Sequence, residues 1–257
     1  MTPRQSEIIE LIRKEVKPAL GCTEPIAVAL AVAKAMEIIE ASAPCDEGWR
    51  YSDCYNLKVE VSGNILKNGM GVGIPGTGMV GLHIASALGA VCGKSSYGLE
   101  VLHDLDEKSI SQAKRLVSDE RVTVGIADTT LKLYVKATVS DSHGNSSYAI
   151  IENDHDNIVE TCFGEKILVS SRKTEVCSDQ KSTLDYKLTV KEIFDFASTV
   201  AYEDIAFILE SRTLNLALAE EGMRGAYGLR VGKAISSSAN KEVFGGDFLS
   251  FAMAMTA

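Results

Sequence analysis

Nine consecutive residues, Pro25 to Ala33, are apolar on every face of a helix and mostly small. A surface helix carries one apolar stripe, so a segment that is greasy all round has to be enclosed by close neighbours. Any fold for this chain must therefore build a core around a helix spanning roughly Glu24 to Ala41. Lys34 interrupts the run, which is far too short to cross a bilayer. Just ahead of it stands Gly21-Cys22-Thr23-Glu24-Pro25. Thr23 reads as an N-cap, followed by an acid and a proline in the first turn, where negative charge and a missing N–H are both welcome. Cys22 then sits at a helix N-terminus, whose partial positive charge favours the thiolate, the form that attacks, takes protons or binds metal. The competing reading is a small hydrophobe at a helix corner.

The rest of the chain alternates between helical and strand periods. A first helix, Pro3 to Lys17, opens with Thr2 as cap and proline at its first position. Leu57, Val59 and Val61 alternate with polar residues, as in a half-buried strand. Helices follow from Met79 to Leu88 and from Glu107 to Val117, the second capped by Asp106. Strands read over 121–127, 131–139, 146–152 and 166–171, with Ser142-His143-Gly144-Asn145 as a hairpin turn. Residues 172–187 are polar and aperiodic, a linker or exposed loop. Thr189-Val190-Lys191-Glu192 is a capping box, and a further helix spans about Glu203 to Glu221. The apolar segment Phe248 to Ala257 begins a helix that has no stop signal. The expected architecture is α+β: a mixed, mainly antiparallel sheet with covering helices, flanked by helical segments at both ends. Residues 1–49 form the N-terminal helical segment, 50–172 the α+β body and 173–257 a C-terminal helical segment that reads as truncated.

Two stretches beyond the Cys22 region carry candidate chemistry. Gly69, Gly71, Gly73, Gly76 and Gly78 crowd into ten residues. Such a backbone lets a ligand approach its amides, and the helix that follows would present its N-terminus to an anion. Gly71-x-Gly73-x-x-Gly76 fits the dinucleotide fingerprint, but the preceding strand alternates in polarity and Pro75 lies inside the loop, so a nicotinamide cofactor is disfavoured. A turn that merely lets elements pack and a cradle for a small carboxylate or amino acid both remain open. Asn153-Asp154-His155-Asp156-Asn157 follows a strand end, where acids would favour the charged form of His155; a solvated turn is the alternative.

Net charge is −9, which makes nucleic acid and anionic membranes poor partners. Met1 to Lys17 is a charged amphipathic helix without a signal-peptide core, so a soluble, cytoplasmic protein is expected. The six cysteines (22, 45, 54, 92, 162, 177) and four histidines (83, 103, 143, 155) show no metal-ligand spacing, and without a secretory segment the cysteines are expected to be thiols.

Gly21-Cys22-Thr23-Glu24-Pro25, the Gly69–Thr77 stretch and Asp154–Ile158, together with Glu203-Asp204-Ile205 and Tyr227-Gly228-Leu229, resemble the L-cysteine desulfidase family, related to the α chain of iron–sulfur L-serine dehydratase. The resemblance runs over essentially the whole chain. It implies a lyase that turns L-cysteine into pyruvate, ammonia and sulfide with a [4Fe–4S] cluster and no pyridoxal phosphate. L-serine dehydration is the alternative, as is an inactive substrate-binding fragment. The residue matching the proposed base is Cys22, and the cluster ligands would come from beyond Ala257, so no metal ligand is assigned here. The candidate catalytic residues are Cys22 and His155. The candidate substrate-binding residues are Thr23, Glu24, Asn68, Gly71, Gly73, Gly76, Thr77 and Asn157. The expected partner is a small amino acid, with no nucleic acid or membrane, and a homo-oligomer is left open.

Overall fold

A computed structural model describes residues 1–18, 21–42, 55–171, 188–225 and 230–237. Residues 43–54, the stretch 172–187 read as a linker or exposed loop, Tyr227-Gly228-Leu229 and the apolar segment from 248 onward, with Cys45, Cys54 and Cys177, lie outside the described residues. The chain divides into two compact units, one of residues 18–179 and one that joins 1–17 to 180–257. This division differs from the one read along the sequence. The all-apolar helix belongs to the sheet-bearing unit because only a sheet and a second helix can enclose it.

The larger unit starts with α2 (Thr23–Ser42), followed by β1 (Tyr55–Val61), α3 (Gly63–Gly69) and a minimal hairpin of β2 (Gly73–Ile74) and β3 (Met79–Val80). Then come α4 (Leu82–Cys92), a 3-10 turn (Ser95–Glu100), α5 (Glu107–Ser118) and five strands: β4 (Val122–Ile126), β5 (Tyr134–Asp141), β6 (Ser146–Glu152), β7 (Ile158–Phe163) and β8 (Lys166–Ser170). Six strands form one sheet in the order β4-β1-β5-β6-β7-β8. Only the β1–β4 pair is parallel; every other neighbour runs antiparallel. The mixed, mainly antiparallel α+β fold expected from the periodicity is the one observed. β7 was not foreseen, because its residues are buried on both faces at four consecutive positions and show no clean alternation.

Every residue of α2 from Pro25 to Ala33 is buried. The helix lies against β5, β6 and β7 on one side and α4 on another. Small residues make this possible on both surfaces. On the sheet, Ala137 of β5 pairs with Ala149 of β6, both fully buried between larger valines and isoleucines. On the helix side, Gly89 of α4 meets the backbone of α2: a Cβ there would lie 2.4 Å from the Ala29 carbonyl oxygen and 2.8 Å from its Cα. The Ser147 hydroxyl donates to the Ala35 carbonyl at 2.7 Å, tying α2 to β6 with a satisfied buried polar group.

The smaller unit contains α1 (Pro3–Glu15), α6 (Val190–Thr199), α7 (Tyr202–Ile205), a 3-10 turn (Ala206–Ile208), α8 (Leu209–Arg224) and α9 (Val231–Ser236). The capping box expected at Thr189 and Glu192 forms, and the Thr2 cap forms a second one with Gln5. Ile8 and Ile9 of α1 bury against Phe196 of α6. Arg4 reaches across to Glu192 at 3.1 Å, and the Arg13 guanidinium stacks 4.0 Å from the Phe207 ring centre. The helix expected over 203–221 is broken at Ala206–Ile208. No helix among the described residues is long and apolar enough to cross a membrane.

The α2–α4 contact sets a test. Because the atoms facing Gly89 are backbone, they cannot swing aside, and Gly89→Ala should cost about 1–3 kcal/mol by overpacking. Gly125 of β4 faces open space, so Gly125→Ala should stay within about 0.5 kcal/mol of the parent. Equal urea midpoints for the two variants would refute the close contact.

Candidate active site at the entrance of α2

The Cys22 carbonyl accepts the first helical bond, from the Ile26 N–H at 3.4 Å, so Cys22 occupies the cap position expected for Thr23. Cys22 is exposed, whereas Thr23 and Glu24 are half-buried. The Cys22 thiol donates to Glu24 Oε2 at 2.8 Å. The other carboxylate oxygen, Oε1, accepts from Asn68 Nδ2 at 3.1 Å. The Thr23 hydroxyl makes a long contact of 3.5 Å to the same oxygen as the thiol. The electrostatic influence of His155 also favours ionised Glu24. Cys22, Thr23, Glu24 and Asn68 therefore form one hydrogen-bonded group centred on Glu24, with His155 within electrostatic reach of it.

Three local structures bring these side chains together. The first is the entrance of α2. The second is α3, which the strand and glycine patterns hid. Its sequence signal is Ser62, an N-cap ahead of Ile65 and Leu66. The Ser62 hydroxyl accepts from the Ile65 N–H at 3.4 Å and donates to the Lys132 carbonyl at 2.8 Å. This anchors α3 to the strand end and places Asn68 in its last turn. The third is the β6–β7 turn. Asn153 takes a left-handed conformation with φ of 70°, and the Asn157 side chain donates to the Glu152 carbonyl at 2.9 Å. Asn157 thus closes the turn that carries His155.

The electrostatics reverse one expectation. Backbone N–H groups at the helix entrance do favour the Cys22 thiolate. Burial and the hydrogen bond to anionic Glu24 outweigh them, and the Cys22 thiol is pushed up. For Glu24, partial burial opposes the charged form. The bonds from Cys22, its own N–H and Asn68, with the electrostatic influence of His155, overcome that and hold the carboxyl below its usual range. At neutral pH the pair therefore rests as a thiol donating to a carboxylate.

The glycine-rich stretch divides in two. Thr77 is buried, with its hydroxyl donating to the Ile74 carbonyl at 2.7 Å and accepting from the Met79 N–H at 3.0 Å, so it closes the hairpin. Gly76 has φ of 75° and rests against Ile110 of α5. Gly71 and Gly73 are exposed, have no positive φ and face open space. Packing demands glycine at neither position, so the backbone there is open, whereas Gly76 packs on Ile110 and Thr77 is engaged by the hairpin. The unit after β1 is a short helix and a hairpin, unlike the strand–turn–helix a dinucleotide fold requires. Among the described residues, no group of three His, Cys, Asp or Glu side chains converges to hold a metal ion.

The chain is similar to proteins named UPF0597 protein. It is 40% identical to one from Bacteroides fragilis over 253 residues, covering 98% of this chain and 56% of that protein. It is 41% identical to one from Phocaeicola vulgatus, covering 93% of this chain and 53% of that protein, and 39% identical to one from Shewanella halifaxensis, with 97% and 56% covered. The chain spans little more than half the length of these relatives. No family model matches, and no solved structure matches. These alignments correct the resemblance to L-cysteine desulfidase and serine dehydratase: the relatives that align with nearly all of this chain carry the UPF0597 name and neither of those. The motifs behind that resemblance are short. In the structure the glycine stretch serves a hairpin and the Asp154–Ile158 stretch a turn, local needs that many folds share.

The thiol–carboxylate pair generates a prediction of its own. With its pKa raised, Cys22 holds little thiolate at pH 8 and should react slowly with iodoacetamide. Glu24→Gln removes the neighbouring charge and should lower the pH at which alkylation accelerates, raising the rate at pH 8. An unchanged rate–pH curve in that variant would show that the carboxylate does not govern the thiol.

Proposed function

We propose that the larger unit carries the proton-transfer side of a lyase site, in which Cys22 and Glu24 together remove the α-proton of a small amino acid. The reading rests on one observation, the Cys22 Sγ to Glu24 Oε2 hydrogen bond of 2.8 Å, with the second carboxylate oxygen held by Asn68. A thiol that resists ionisation is a poor resting nucleophile, but its thiolate is a correspondingly stronger base. Glu24 takes the thiol proton as the Cys22 sulfur accepts the proton of the substrate Cα–H bond, so no free thiolate accumulates beside the carboxylate. The released electron pair forms the Cα–Cβ double bond as the β-substituent departs. With L-cysteine the leaving group is sulfide and the aminoacrylate hydrolyses to pyruvate and ammonia; with L-serine it is hydroxide.

The exposed amides around Gly71 and Gly73 are the candidates for the substrate carboxylate, and His155, within electrostatic reach of Glu24, is the second candidate catalytic residue. A [4Fe–4S] cluster belongs to the same expectation. The described residues do not fit one, since no three ligands converge among them, and no step is assigned to it.

Exchange of the substrate α-proton with solvent tests this reading without requiring the leaving-group step. In D2O, L-cysteine or L-serine should lose its α-proton NMR signal in the presence of the protein. Cys22→Ser and Glu24→Gln should each slow the exchange about 10²–10⁴-fold. Exchange at the parent rate in Cys22→Ser would remove Cys22 from the chemistry, and no exchange of either amino acid by the parent would overturn the proposal.

A further inference from the structure

α8 has sixteen residues, and none of them is buried. A helix of that length is marginal in water without tertiary contacts. Its leucines are nevertheless arranged for packing. Leu209 and Leu216, seven residues apart, fall on one side of the helix, while Leu214 and Leu218, four apart, fall on the opposite side. Both stripes face solvent, with Leu218 72% exposed. α6 repeats the theme. Phe196 turns inward onto Ile8 and Ile9, whereas Val190, Ile193 and Phe194, spaced i, i+3 and i+4, are 84%, 52% and 69% exposed.

A helix with apolar stripes on two opposite sides is built to lie between two neighbours. One twofold contact between copies of this chain would use a single stripe and leave the other wet, and a head-to-tail contact using both would build a ring or a filament, not a dimer. The relatives supply another candidate, because under half of their length lies outside the part this chain matches. From these observations we infer that α8, with the outer stripe of α6, is the docking surface for a helical module equivalent to the portion of UPF0597 proteins that this chain does not span. The module packs a helix against each side of α8. The inference does not depend on the lyase reading.

Two arms test it. In the 257-residue protein, Leu218→Asp and Phe194→Asp should leave the thermal midpoint unchanged, and light scattering should give the mass of one chain. A clear fall in midpoint would mean that this chain already covers the stripes. A dimer dispersed by either substitution would assign them to a second copy. Either result overturns the proposal. In the second arm, the same chain is fused to the unmatched portion of the Bacteroides fragilis protein. Amide exchange at Leu214 to Leu218 should slow on the order of a hundredfold relative to the unfused chain, and Leu218→Asp should abolish that protection. Equal exchange in fused and unfused protein would also overturn it.

Discussion

The backbone contact between Ala29 of α2 and Gly89 of α4 is the constraint on which the larger unit depends. A helix that is apolar all round has no face to give to water, so it must be covered on several sides at once. Gly89 lets α4 approach to backbone distance on one side. The Ala137–Ala149 pair leaves room for α2 on the sheet. Larger side chains at these points would push α2 outward and expose its alanine and valine surface. The position of the α2 entrance, and of Cys22 on it, follows from this packing.

The site at that entrance shows competing terms of comparable size settled by local geometry. A helix N-terminus favours anions, and two anions compete for it there, the Cys22 thiolate and the Glu24 carboxylate. Glu24 is the stronger acid and takes the donors: its own backbone N–H, the Asn68 amide and the field of His155. The thiol, left beside a negative charge and partly desolvated, keeps its proton. The helix entrance favours both anions, but on the sulfur burial and the neighbouring carboxylate outweigh it.

Much of this was legible along the chain. The Pro25–Ala33 run announced a buried helix, the alternation at Leu57–Val61 and Val135–Val139 announced strands, and Thr2, Asp106 and Thr189 announced caps that all form. Cys22, Glu24, Asn68 and His155 could be singled out by residue type and by position near element ends. Their assembly could not. Asn68 is 44 residues from Glu24, and the helix that carries it is a single short segment with a weak signal. The hairpin role of Thr77 was not legible, because a hydroxyl in a glycine-rich loop looks free in one dimension, yet it bonds the hairpin's own backbone.

The sequence by itself determined what is short-range: helix and strand periods, caps, turns, and the need to enclose one greasy helix. Each of these depends on neighbours within a few positions, where side-chain spacing and backbone preference decide the outcome. The tertiary structure alone decided which strand pairs with which, that α1 groups with α6 and not with α2, and that the Cys22 proton is held and not shed. Those outcomes depend on groups that are distant in the chain and close in space, and on burial, which no single residue carries in its own chemistry.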